Sequence, residues 1–242
     1  MGFVEDIRFK EFGARCVFFD RFGGVSNYPF DSLNVSISVE DTRENVEENF
    51  EIIKSELKAE HIATLNQIHS NKIVKFSRDK KFDADGLYTE ELFVFLGIKF
   101  ADCLPISLMD VKKRIIMAIH SGWMGSYLGI SKEAIETFKN LGLNPKNVIA
   151  TIGPHICKNC YEVKEDVASK FPERFLTTRK GKIYLDLSSV NIEQLVESGV
   201  KRENIIDMNI CTFENKSFFS YRRDKICGRN IGGIMLIDTN QK

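Results

Sequence analysis

Two apolar runs in the segment Ala101–Trp123, ADCLPISLMDVKKRIIMAIHSGW, are bracketed by groups that can do chemistry: Cys103 enters the first and His120 ends the second. The runs, Leu104–Met109 and Ile115–Ile119, have strand length, and the charged residues Asp110–Arg114 supply a turn between them. Antiparallel pairing would set the start of one strand beside the end of the other, so thiol and imidazole would share one sheet edge. Such a pair is either half of a metal site or a nucleophile with its base. A third donor, His69, lies in Asn66-Gln67-Ile68-His69-Ser70-Asn71, just before a further apolar run at Ile73–Phe76. Two imidazoles and a thiolate, with a fourth position left to water, form a catalytic zinc set, and thiolate suits zinc or copper. Spacing alone does not select this set, because a buried Cys103 and two hydrogen-bonding histidines would look the same.

Cys157-Lys158-Asn159-Cys160 competes as a ligand pair. No second CxxC accompanies it, and a thioredoxin-like βα context is missing, so these read as buried or loop cysteines. Zinc nucleobase deaminases carry H-x-E followed by P-C-x-x-C. None of the four histidines begins an H-x-E, which excludes that family. Arg21, Arg222, Arg223 and Arg229 offer planar donor forks to an anion, with surface salt bridging as the plainer use. Gly23 and Gly24, after Arg21, permit positive φ and could aim backbone N–H groups at phosphate; a tight turn is the simpler account. Asp102, beside Cys103, could orient a ligand histidine, move a proton, or merely cap a backbone N–H. Trp123 reads as packing.

The elements that must position these groups follow from periodicity. Arg15–Phe19, Phe93–Phe100, Asn147–Gly153, Ile183–Leu187, Ile205–Ile210 and Ile231–Ile237 read as strands. Asp41-Thr42-Arg43-Glu44 resembles a capping box opening a helix with Val46, Phe50, Ile53 and Leu57 inward. A second helix buries Ile130, Ala134, Ile135, Phe138 and Leu141, with Gly142 past its end, and a third spans Ser188–Ser198. Asp83-Ala84-Asp85-Gly86 reads as a loop. Irregular alternation of strands and helices, with no Pro/Ser-rich linker, predicts an α+β (mixed α/β) chain forming one domain over 1–242.

The 34 basic and 34 acidic residues cancel, which argues against a broad footprint for nucleic acid or anionic membrane. No apolar run reaches the ~18 residues of a spanning helix, and the N-terminus carries charges where a signal peptide needs its apolar region. A cytoplasmic protein is expected. Six cysteines in a chain this long do not make a disulfide framework.

Eight ordered motifs give the chain a resemblance. They include FGGVSNYPFDSLNVS at 22–36, NQIHSNKIV at 66–74, DADGLYT at 83–89, ADCLPISLMD at 101–110, AIHSGWMGSYLGI at 118–130, IGPHICKNCYEV at 152–163, and CTFENKSFFSYRRDKICGR at 211–229. With DLSSVNIEQL at 186–195, they resemble the laccase-domain or polyphenol oxidase family, also called YfiH-like, whose members are regarded as purine-nucleoside enzymes. The resemblance implies a layered α/β/β/α sandwich similar to the cytotoxic-necrotizing-factor deamidase. It implies zinc, with copper as the alternative, on His69, Cys103 and His120; Asp102, from its place beside Cys103, is expected to be catalytic with them. It further implies binding of purine nucleoside and inorganic phosphate, with Arg21, Gly23, Gly24, Asn66, Arg222 and Arg223 as contacts, by a chain expected to be a monomer. The activities implied are phosphorolysis of adenosine, inosine, guanosine and methylthioadenosine, and deamination of adenosine. Two positions depart from the family pattern: Met124 stands where arginine is usual after the tryptophan, and Asn159 where a cysteine is usual.

Three other functions compete. A multicopper oxidase needs about ten histidines, and four cannot supply them, although weak phenol oxidation by copper at the triad stays open. A metal-free hydrolase or deamidase would use Cys103 as nucleophile and His120 as base, with no need for His69. A non-catalytic binding module is the plainest.

Overall fold

A computed structural model describes residues 2–238; the remaining ends of the expected 1–242 domain lie outside the described residues. One sheet has the order β1 (Phe3–Asp6), β2 (Ala14–Phe19), β14 (Asn230–Leu236), β6 (Val94–Phe100), β3 (His61–Ala63). A second runs β13 (Ile205–Asp207), β9 (Val148–Ile152), β7 (Leu104–Asp110), β8 (Ile115–Ser121), β5 (Gly86–Thr89), β4 (Ile73–Lys75). A small third sheet joins β10 (Glu162–Val163), β12 (Lys182–Leu185) and β11 (Leu176–Arg179).

The central strands are apolar on both faces, as sheets covered on both sides must be. Along β8, Ile116 and Ala118 enter one core while Met117 and Ile119 enter another. Between the two large sheets lie Phe18, Leu96, Ile98, Phe100 and Ile234 with Ile116 and Ala118. Outside the first sheet, α1 (Arg43–Leu57) lays Ile53 and Leu57 against Val17, Phe19, Phe95 and Met235. Outside the second, α3 (Ile130–Asn140) and α5 (Leu187–Glu197) pack Ala134, Ile135, Phe138 and Leu195 onto Ile106, Leu108, Met117 and Ile119. Helix, sheet, sheet, helix is the expected α/β/β/α sandwich. Three short helices remain: α2 (Trp123–Tyr127), α4 (Glu165–Ala168) and α6 (Tyr221–Asp224).

Local signals act nearly where expected. Thr42, not Asp41, caps α1 by accepting from the Asn45 N–H, while Asp41 turns to Ser26 and Asn34. Gly142 follows α3 at φ +76°, a left-handed conformation that costs glycine little. Among the described residues no helix is long and apolar enough to cross a membrane.

Candidate functional site

β7 and β8 form the expected antiparallel hairpin, with Pro105 opposite His120 and Leu104 opposite Ser121. Cys103 and Gly122 therefore face each other just past the last paired residues. His69 arrives from the loop between β3 and β4 in a left-handed conformation, φ +58°. Donor atoms of His69, Cys103 and His120 all lie within 4.8 Å of one another. The two imidazole rings meet edge to face with centroids 4.9 Å apart.

Asp85 holds this triad together. Its carboxylate is fully buried and accepts from the backbone N–H groups of Ile68, His69 and Ser70, and from the Ser70 hydroxyl. It also accepts from His120 Nδ1 at 2.8 Å, while its own carbonyl takes the His120 N–H at 2.7 Å. The His120 tautomer is thereby fixed with Nε2 turned away from Asp85 and free to ligate. Burial alone would lower the His120 pKa, but the Cys103 sulfur and the Asp85 carboxylate overcome it and raise the value to about 9. His69 moves the other way: burial, then the His120 charge, lowers its pKa. Orienting a ligand histidine is one of the three uses open to Asp102 in the sequence, beside proton transfer and capping a backbone N–H. Asp102 accepts from Thr212, Ser220 and the Arg222 N–H, so it caps α6 and ties that segment to the site. In the sequence Asp85 looked like a turn residue; only its burial among converging N–H groups distinguishes it.

These residues fit a metal. The donor set is two imidazoles and a thiol, and Gly122 leaves the space between them open. A Cβ at Gly122 would lie 3.0 Å from Cys103 Sγ and 3.1 Å from His69 Nδ1. Its φ of −81° suits any residue, so Gly122→Ala acts at the site and not on the backbone. We expect this variant to keep the wild-type melting temperature within a few degrees and to lose metal affinity by roughly 10–100-fold, checked by competition with a chromophoric chelator.

The triad opens into a cleft of about 600 Å³ whose walls include Asn66, Asp102, Trp123, Tyr161 and Tyr221. Lys99, Arg222, Lys225 and Arg229 also line it. Four expected contacts lie outside its lining. Arg21 forms an ion pair with Asp31, donates to the Asp31 carbonyl and stacks on Phe219, so its guanidinium is committed locally. Gly23 and Gly24 belong to a turn in which the Gly24 N–H goes to Ser32 Oγ and the Val25 N–H to Asn49 Oδ1. Arg223 clamps the carbonyls of Thr212, Phe213 and Phe218. Lys99 was missed because a lone lysine in a strand reads as a solvated face. Here burial, followed by the neighbouring Arg229 charge, lowers its pKa.

Residues 15–237 match the model of the family described as multi-copper polyphenol oxidoreductase laccase. The chain belongs to this family. A protein named purine nucleoside phosphorylase from Deinococcus radiodurans is 36% identical over 213 residues, covering 86% of this chain and 83% of that one. A YfiH protein of Bacillus licheniformis superposes with TM-score 0.91 at 30% identity, over 98% of this chain and 96% of that one. YlmD of Geobacillus stearothermophilus gives 0.88 at 29% identity, over 93% of each chain. Metal use is in keeping with this laccase family's description, yet only two of the four histidines of this member reach the triad. His61 lies against Phe76, and His155 Nδ1 bonds the Gly153 carbonyl. Met124, one of the two positions expected to depart from the family pattern, sits in α2 outside the lining of the cleft.

Proposed function

We propose that this chain is a zinc-dependent purine-nucleoside enzyme. It would split adenosine, inosine, guanosine and S-methyl-5′-thioadenosine with phosphate into free base and the corresponding ribose 1-phosphate, and deaminate adenosine to inosine. The reading is carried by one observation: a soft-ligand triad and a group of cations without carboxylate partners line the same aromatic-walled cleft. The relatives named purine nucleoside phosphorylase support it.

Among the described residues, Lys99, Arg222, Lys225 and Arg229 make no ion pair with a carboxylate; Arg222 and Arg229 donate to backbone carbonyls. Two half-buried cations side by side, Lys99 and Arg229, repel each other until an anion joins them. Phosphate held there would be desolvated and oriented for attack on C1′ as the bond to the purine nitrogen breaks. Tyr161, Tyr221 and Trp123 offer faces for the base. Zinc, held by His69, Cys103 and His120, would supply Lewis acidity and lower the pKa of water towards ~7.

The test is to incubate untagged protein of known zinc content with adenosine, with and without phosphate, and to separate the products. Adenine and ribose 1-phosphate should need phosphate, and inosine should not. No product from fully zinc-loaded protein overturns the reading. Arg229→Ala should raise the KM for phosphate about tenfold with the KM for nucleoside nearly unchanged, since a hydrogen bond to a charged group contributes roughly 1.5–3 kcal/mol.

A further inference from the structure

A second group of donors converges behind the cleft wall. Cys157 and Cys160 come from one turn, Cys211 and Glu214 from another fifty residues on, and their ligand atoms all lie within 4.8 Å of one another. We infer that these four residues form a second, structural zinc site, which the C-x-x-C of the sequence taken alone did not reveal.

The geometry favours a closed tetrahedral site. Zn–S bonds of ~2.3 Å and Zn–O bonds of ~2.0 Å place neighbouring sulfur and oxygen ligands ~3.5 Å apart. Cys160 Sγ and Glu214 Oε1 are 3.4 Å apart. Both turns are closed by backbone hydrogen bonds. The Cys160 and Tyr161 N–H groups bond the Cys157 carbonyl, and the Asn215 N–H bonds the Cys211 carbonyl. A β-bridge between His155 and Cys211, with the His155 N–H on Ile210 and the Thr212 N–H on His155, fixes one turn against the other. A backbone donor already points at one of the sulfurs: the Cys157 N–H reaches Cys211 Sγ at 3.3 Å. Such a donor stabilises a thiolate ligand in the way outer-sphere groups tune a metal.

Three thiolates select zinc over the harder divalent ions, and four protein donors leave no open position for substrate. Cys211 is buried while Glu214 is exposed, so the ion has an entry side. The location gives the site its work. Ile156, before the first turn, donates its N–H to the Asp102 carbonyl, and Thr212, beside Cys211, donates its hydroxyl to the Asp102 carboxylate. Tyr161, after the first turn, lines the cleft. A zinc here pins the Tyr161 wall to the segment that carries Cys103.

Native mass spectrometry of untagged protein from zinc-supplied cells tests this. Wild type should carry two zinc ions per chain, Cys160→Ser one, and His120→Ala one. Glu214→Gln, at an exposed position, should fold normally and release one zinc to a competing chelator at least tenfold more readily. Retention of wild-type zinc content by Cys160→Ser and unchanged release by Glu214→Gln would overturn the site. So would a disulfide between any two of the three cysteines in freshly isolated protein. Loss of the His120 zinc alone leaves this site standing, so the two assignments fail separately.

Discussion

Cys103→Ala is expected to abolish zinc retention at the cleft and to lower kcat/KM for adenosine phosphorolysis by roughly 10³-fold or more. A Lewis acid contributes several kcal/mol at the transition state, and each 1.36 kcal/mol is about tenfold in rate. The protein should still fold, because Cys103 is half-exposed just before the first residue of β7 and no core cluster depends on it. Cys103→Ser keeps the shape but offers a hard, protonated hydroxyl, so it should lose nearly as much. Neither variant separates a zinc ligand from a nucleophile. His69→Ala does: a Cys103–His120 dyad has no use for His69, whereas a three-donor zinc site loses a ligand. Near wild-type turnover by the His69→Ala protein, with rapid alkylation of Cys103 in the as-purified enzyme, would sink the zinc reading.

What the sequence conveyed about this site was the local part. The charged turn Asp110–Arg114 between two apolar runs sets the β7–β8 hairpin, and pairing geometry brings Cys103 to His120. The apolar period of α3 and its Gly142 stop are equally local. Function in the rest depends on distant partners. Arg21 and Arg229 are indistinguishable as letters, but one meets Asp31 ten residues away and the other lines the cleft beside Lys99. Asp85 and Asp102 are both acids next to glycine, alanine or a thiol; the sequence leaves Asp102 open between orienting a histidine, moving a proton and capping a backbone N–H, and the last is what it does, while the orienting contact belongs to Asp85. Cys157 and Cys160 acquire meaning only when the β-bridge at His155 delivers Cys211.

Asp85→Asn should therefore be the most damaging single-atom-type exchange outside the ligands. Three backbone N–H groups, one hydroxyl and His120 Nδ1 converge on this carboxylate, all as donors. An amide presents one acceptor oxygen and brings two more donors into a fully buried space, so several N–H groups lose their partner. Breaking a buried charged pair in this way costs about 3–5 kcal/mol, and loss of an orienting carboxylate costs roughly 10–100-fold in metal affinity. The pH profile isolates the electrostatic part. In metal-free wild type the folded His120 titrates at about 9, above the ~6.5 of an unfolded histidine. Its contribution to stability is complete below ~6.5 and is lost as pH rises through about 9. Urea unfolding of chelator-stripped protein between pH 6 and 9 should show that decline in wild type and a flatter curve in Asp85→Asn, where only the Cys103 sulfur still favours the imidazolium. Zinc must displace the same proton, so wild-type zinc affinity should climb over this interval and the variant's should climb less. Equal slopes in the two proteins would show that Asp85 does not set the charge state of His120.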